Sequence, residues 1–188
     1  TEVELVVDSR ATLGEGPCWH VRSQSLFWVD IDGASVHRYD PASGQDHSIP
    51  VGASVGCLTP RASGGILLAR KNDFAALDLE SQTVTPLLAV SEPPGNRFND
   101  GRCDPVGRFW AGTMDNNCRD GAGILYRLDP DLSLHAMVPG VSISNGLAWS
   151  LDGSVLYYVD SPTQCVAAYD YDLSTGAIHN RRVAVEIA

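Results

Sequence analysis

Apolar and polar side chains alternate along most of this chain in short stretches, each broken by glycine, proline, asparagine or aspartate. A period of two predicts β-strands, and the breaks predict turns. No segment has the spacing of a convincing amphipathic helix. The pattern also repeats. A glycine ahead of a hairpin recurs in Glu15-Gly16-Pro17, Val55-Gly56-Cys57, Asp100-Gly101-Arg102 and Asn145-Gly146-Leu147, at intervals of 40, 45 and 45 residues. Self-similarity at such a period marks a repeat architecture.

Each repeat reads as four strands. The first follows the glycine: Cys18-Trp19-His20, Cys57-Leu58-Thr59, Arg102-Cys103-Asp104 and Leu147-Ala148-Trp149. A tight turn comes next, as in Pro105-Val106-Gly107 or Leu151-Asp152-Gly153, where glycine supplies the positive φ of a hairpin. The second strand is a nearly continuous apolar run, at 26–29, 66–69, 109–111 and 156–159. Such runs suit strands buried on both faces. The third alternates, at 36–39, 75–78, 124–127 and 166–169, and a weaker fourth, such as 84–88, closes the unit.

Four strands in about 40–45 residues make one blade of a β-propeller. The expected fold class is all-β, with about four four-stranded blades in this chain. A β-sandwich also has short strands, but it does not return the same four-strand unit at fixed spacing. Blades that circle an axis place their first strands innermost, so the starting ends of those strands meet. Glu15, Asn99, Asp100 and Asn145 are therefore predicted to converge, far apart in sequence as they are.

Composition narrows the partners. With 188 residues the chain can bury one sizeable core. The net charge of −10 argues against a nucleic-acid partner and against anionic membranes. No apolar run approaches the roughly 20 residues of a membrane helix. The acidic start, Thr1-Glu2-Val3-Glu4, lacks the basic region of a signal peptide. Five cysteines without a C-x-x-C pair read as free thiols in a reducing, cytoplasmic compartment. Cys18 and Cys103 each stand two residues past the repeat glycine, where a small apolar side chain packs on the innermost strand.

A carboxylate and amide oxygens at one place make a hard oxygen site, suited to Ca²⁺, Mg²⁺ or Mn²⁺. The five histidines are scattered and give no zinc-ligand pair, although zinc can occupy an oxygen site by affinity. Glu15, Asn99 and Asn145 are equally suited to capping strand ends and turns, as asparagine before glycine often does.

Three blocks then carry a resemblance: 13–19 (Leu-Gly-Glu-Gly-Pro-Cys-Trp), 97–114 (opening Arg-Phe-Asn-Asp-Gly) and 144–150 (Ser-Asn-Gly-Leu-Ala-Trp-Ser). In order and in wording they closely resemble the SMP-30/gluconolactonase/regucalcin family. The resemblance implies a six-bladed β-propeller that hydrolyses sugar lactones at one divalent cation on the axis, calcium foremost. It makes Glu15 and Asn145 metal ligands, and Arg97 and Asn99 the substrate-contacting pair. The cation would polarise the lactone carbonyl while a carboxylate base activates water. That base, an aspartate and third ligand, is expected beyond residue 188. Residues 1–188 are thus read as a single propeller domain, incomplete at its C-terminus. Organophosphate or other ester hydrolysis on the same fold, and a non-catalytic calcium-binding scaffold, are the alternative functions.

Other motifs carry less. Gly52-Ala53-Ser54-Val55-Gly56 matches the G-x-S-x-G elbow, but Cys57-Leu58-Thr59-Pro60 cannot be the helix that elbow requires. Asp30-Ile31-Asp32-Gly33 lacks the later acids of a calcium loop and reads as a turn. Asp100 could act as base or orient a ligand, but reads best as stabilising its own turn. Trp19, Trp28, Trp110 and Trp149 are expected to pack between blades.

Overall fold

The computed structural model describes residues 2–187. Sixteen strands form four four-stranded antiparallel sheets, each taken from consecutive strands in order. The first sheet is β1 (Gly14–His20), β2 (Ser25–Asp30), β3 (Ser35–Asp40) and β4 (Gln45–Pro50). The second is β5 (Val55–Pro60), β6 (Ile66–Arg70), β7 (Asp73–Leu77) and β8 (Val84–Ala89). The third is β9 (Asn96–Cys103), β10 (Phe109–Asp115), β11 (Gly123–Leu128) and β12 (Leu134–Val141). The fourth is β13 (Ser144–Trp149), β14 (Val155–Asp160), β15 (Cys165–Asp172) and β16 (Ala177–Glu186). The helical content among the described residues is a single 3-10 turn, Ser161–Thr163.

Period-two alternation decides how the sheets stack. In β2, Phe27 and Val29 point one way and pack with Leu58, Ile66 and Leu68 of the second sheet. Ala69 and Phe74 leave the opposite face of that sheet and meet Phe98, Phe109 and Ala111 of the third. Trp110, between Phe109 and Ala111, turns to the fourth sheet and joins Leu147, Leu156 and Tyr158. Three apolar layers thus join four sheets in chain order, a propeller-like arrangement. The first strands lie side by side, β1 against β5, β5 against β9 and β9 against β13.

The second strands divide by position. All of β10 is buried, as its continuous apolar run predicts. In β14, by contrast, Leu156 and Tyr158 are buried while Tyr157 is 37 % exposed, so this run covers one face only. The tryptophans divide too. Trp110 and Trp149 pack edge-to-face with each other and with Tyr171 between the third and fourth sheets. Trp28 instead stacks on His37 within the first sheet, and Trp19 is 46 % exposed. Those two do not pack between the described sheets, because they stand on faces that no described sheet covers.

Candidate metal and substrate site

Every first strand carries a bulge near its start. Pairing with the second strand skips Gly16 and Pro17 in β1, Gly56 in β5, Asn99 in β9 and Gly146 in β13. A bulge leaves a residue out of the ladder, bends the strand and re-aims nearby side chains. Glu15 and Asn145 hold the same place, the last paired residue before the bulge. In the third sheet that place belongs to Phe98, and Asn99 itself occupies the bulge. The expected equivalence of Asp100-Gly101 with the other glycine sites is therefore shifted by two residues.

The repeat glycines have two physical reasons. Gly16 and Gly146 have φ of 59° and 41°, the left-handed region that β-carbons disfavour. Gly56 and Gly101 lack that backbone and are needed for close approach. A β-carbon on Gly56 would lie 2.3 Å from the Phe98 carbonyl carbon, and one on Gly101 would lie 2.6 Å from Cys57 Sγ.

The four first strands enclose a central cavity of about 480 Å³. Glu15, Asp100 and Gly146 are among its lining residues, with Cys18, Cys57 and Cys103. Next to the lining residues Asp100 and Gly146, a chain of hydrogen bonds crosses from β9 to β13. Arg97 Nη1 donates to Asn99 Oδ1 (2.8 Å) and to the Phe98 carbonyl (3.0 Å). Asn99 Nδ2 donates to Asn145 Oδ1 (3.0 Å) and to the Ser144 carbonyl (2.9 Å). Asn145 Nδ2 donates to Ser161 Oγ (2.7 Å). Three of the four residues predicted for the site, Arg97, Asn99 and Asn145, therefore form one network, and the fourth, Glu15, lines the cavity beside it.

Arg97 is buried, with 9 % of its surface exposed. Burial lowers its pKa, while the carboxylates of Asp32 and Glu15 act in the opposite direction. A guanidinium keeps its charge under such opposing shifts. Asp32 was legible only as part of an acidic turn, yet its charge reaches Arg97. Ser161 was missed altogether, although a Ser-Pro turn directly after β14 was a usable signal.

Asp100 does more than stabilise its own turn. Its Oδ1 accepts the Gly101 amide (2.7 Å) and its Oδ2 accepts the Gly146 amide (2.8 Å), which staples β9 to β13. Asp30 is fully committed as well, accepting the amides of Thr12, Leu13 and Gly33, as expected of a turn rather than a calcium loop. Asp160 plays the same part at the end of β14, accepting Ser142 and Ile143.

The donors fit a hard divalent cation. Asn145 Oδ1 accepts one hydrogen bond and retains a second lone pair. Among the described residues, the Glu15 carboxylate takes part in none of the side-chain hydrogen bonds or ion pairs that occupy Asp30, Asp100 and Asp160. The donor set is oxygen throughout, and no group of three or more His, Cys, Asp or Glu side chains among the described residues is placed to hold a metal alone.

Consecutive four-stranded sheets whose first strands border one cavity define a propeller-type protein. The chain belongs to the SMP-30/Gluconolactonase/LRE-like family, whose model matches residues 13–188. Regucalcin of Xenopus laevis is 44 % identical over 192 residues, covering 99 % of this chain and 64 % of the relative. Regucalcin of Danio rerio is 40 % identical over 188 residues, with the same coverage of 99 % and 64 %. The chain therefore spans somewhat less than two thirds of these relatives' length. Among solved structures, regucalcin of Agrobacterium tumefaciens, described as a calcium-binding protein, superposes with a TM-score of 0.89 at 27 % identity, covering 95 % of this chain and 61 % of that one. A gluconolactonase of Xanthomonas campestris gives 0.73 at 25 % identity, covering 92 % and 62 %.

Proposed function

We propose that the protein is a divalent-metal-dependent hydrolase of sugar lactones, working as part of a six-bladed propeller. The observation that carries this reading is the Asn99–Asn145 contact beside a cavity lined by Glu15, in a chain of the gluconolactonase family. Glu15 and Asn145 are the residues that would hold the cation, calcium by preference, with zinc, magnesium or manganese as substitutes. Bound there, such a cation supplies Lewis-acid polarisation of an ester carbonyl.

The chain's own residues supply binding and orientation. Arg97 would contact the hydroxyl groups or ring ester of a sugar lactone through its guanidinium donors, and Asn99, whose two amide hydrogens are taken by Ser144 and Asn145, through the remaining lone pair of its Oδ1. In this reading Asp100 positions the strands, its two oxygens accepting the amides of Gly101 and Gly146. The five cysteines are free and suit a reducing cytoplasm.

Lactone hydrolysis measured with and without a chelator tests the reading. Turnover that disappears with the chelator and returns with Ca²⁺ supports it. Calcium binding without turnover favours a scaffold instead, and faster cleavage of phosphotriesters than of lactones changes the substrate class.

A further inference from the structure

We propose that Arg97 is a positioning residue, whose donor-only chemistry fixes which way the amides of Asn99 and then Asn145 face. An asparagine amide is nearly symmetric in shape, so a flip exchanges oxygen for nitrogen with little steric change. For a residue that is to hold a cation, the exchange is fatal, since only the oxygen coordinates. A cation site built on asparagine therefore needs something to set the polarity of the amide.

Arg97 can do this because a guanidinium has five donors and no acceptor. Its Nη1 lies 2.8 Å from Asn99 Oδ1, so a flipped Asn99 would set N–H against N–H. The Ser144 carbonyl, an acceptor only, reinforces the same orientation from the far side at 2.9 Å. Asn99 Nδ2 is thereby turned to Asn145, which must answer with Oδ1, at 3.0 Å. The Asn145 nitrogen then falls to Ser161 Oγ. A hydroxyl can donate or accept, so Ser161 holds the end of the relay without deciding its direction. Polarity starts at the one charged member, which is buried and bonded to its neighbour's carbonyl as well.

This inference builds on the cation site proposed above, but its test separates the two. Side-chain amide hydrogen exchange of Asn99 and Asn145 is followed by NMR without added metal, in the native protein, Arg97→Leu and Arg97→Lys. Mn²⁺ affinity is measured on the same three proteins. Arg97→Leu should lose the exchange protection of both amides and weaken Mn²⁺ binding by about tenfold, the usual scale for groups that orient a ligand. Arg97→Lys, still a pure donor, should restore much of both. Ser161→Ala, which leaves the buried arginine in place, should weaken protection at Asn145 alone. Unchanged amide exchange in Arg97→Leu would overturn the relay whatever the metal does. A native protein that binds no Mn²⁺ would overturn the cation site, and the amide exchange would still decide the relay.

Discussion

Asn99 Nδ2 donates to Asn145 Oδ1 at 3.0 Å, although 46 positions separate the two residues. The contact forms because Asn99 occupies the bulge of β9 and Asn145 is the last paired residue before the bulge of β13, on neighbouring first strands. Bulges at matching places turn a repeat in sequence into a cluster in space. We expect Asn145→Leu, which keeps the volume but removes the amide, to weaken divalent-cation binding by at least about tenfold. Calorimetric titration of the folded variant checks this.

Gly56 is a test of the close approach between β5 and β9. Its β-carbon position lies 2.4 Å from the Phe98 carbonyl oxygen, which is backbone and cannot rotate away. Gly56→Ala should force β9 outward and cost about 2–3 kcal/mol as an overpacking change. For a chain of this size that corresponds to a fall in Tm of roughly 4–12 °C. Because Phe98 precedes Asn99, the same variant should also loosen the amide network.

The third and fourth sheets are joined at the β9–β10 and β15–β16 turns through a buried ion pair. The Asp104 carboxylate, with no exposed side-chain surface, accepts Arg108 Nη1 at 3.1 Å and the Tyr171 hydroxyl. Arg108 also donates to the carbonyls of Leu173 and Ser174. Arg108→Ala would leave a buried carboxylate without its counter-charge, though still hydrogen-bonded to Tyr171 and to the backbone amides of Val106 and position 108, and we expect it to cost about 3 kcal/mol. Denaturant unfolding measures the loss. Arg22, exposed on the β1–β2 turn and outside this cluster, serves as the surface control and should shift stability by less than about 0.5 kcal/mol when changed to alanine.

Acid should destabilise the fold through aspartates that tie turns. Burial opposes ionisation of Asp30, but the amides of Leu13, Thr12 and Gly33 outweigh it and hold its pKa below the ordinary 3.8. The hydroxyls of Ser174 and Thr175, with the Ser174 amide, bring Asp172 down to about 2. A group with a lowered native pKa stabilises above its unfolded pKa, and that contribution is lost as pH falls through the native value. Stability should therefore be level above about pH 5 and fall between roughly pH 4 and 2. Asp172→Asn should flatten the lower part of that fall in acid-titrated melting curves.

Much of this was legible in the sequence, for a physical reason. Strand and turn chemistry is local, so the four strands per repeat and the glycine turns could be read directly. The contact of Asn99 with Asn145 followed from repetition, while Arg97 was marked only by the family resemblance. What stayed hidden depended on register. Nothing local says that the third bulge falls on Asn99 rather than beside Gly101, because the pairing of β9 with β10 decides it. The two jobs of Asp100 were half visible: the bond to Gly101 is local, but the bond to Gly146 crosses to another sheet. Ser161 belongs to a turn whose meaning depends on Asn145 lying beside it.

Calcium titration of the native protein and of Glu15→Gln, followed by calorimetry, is the most direct trial of the site. The account predicts one Ca²⁺ per chain in the native protein and an affinity reduced by at least about tenfold in Glu15→Gln, whose fold and melting temperature should be unchanged. Calcium binding of equal strength in the two proteins would show that the Glu15 carboxylate takes no part in holding the ion.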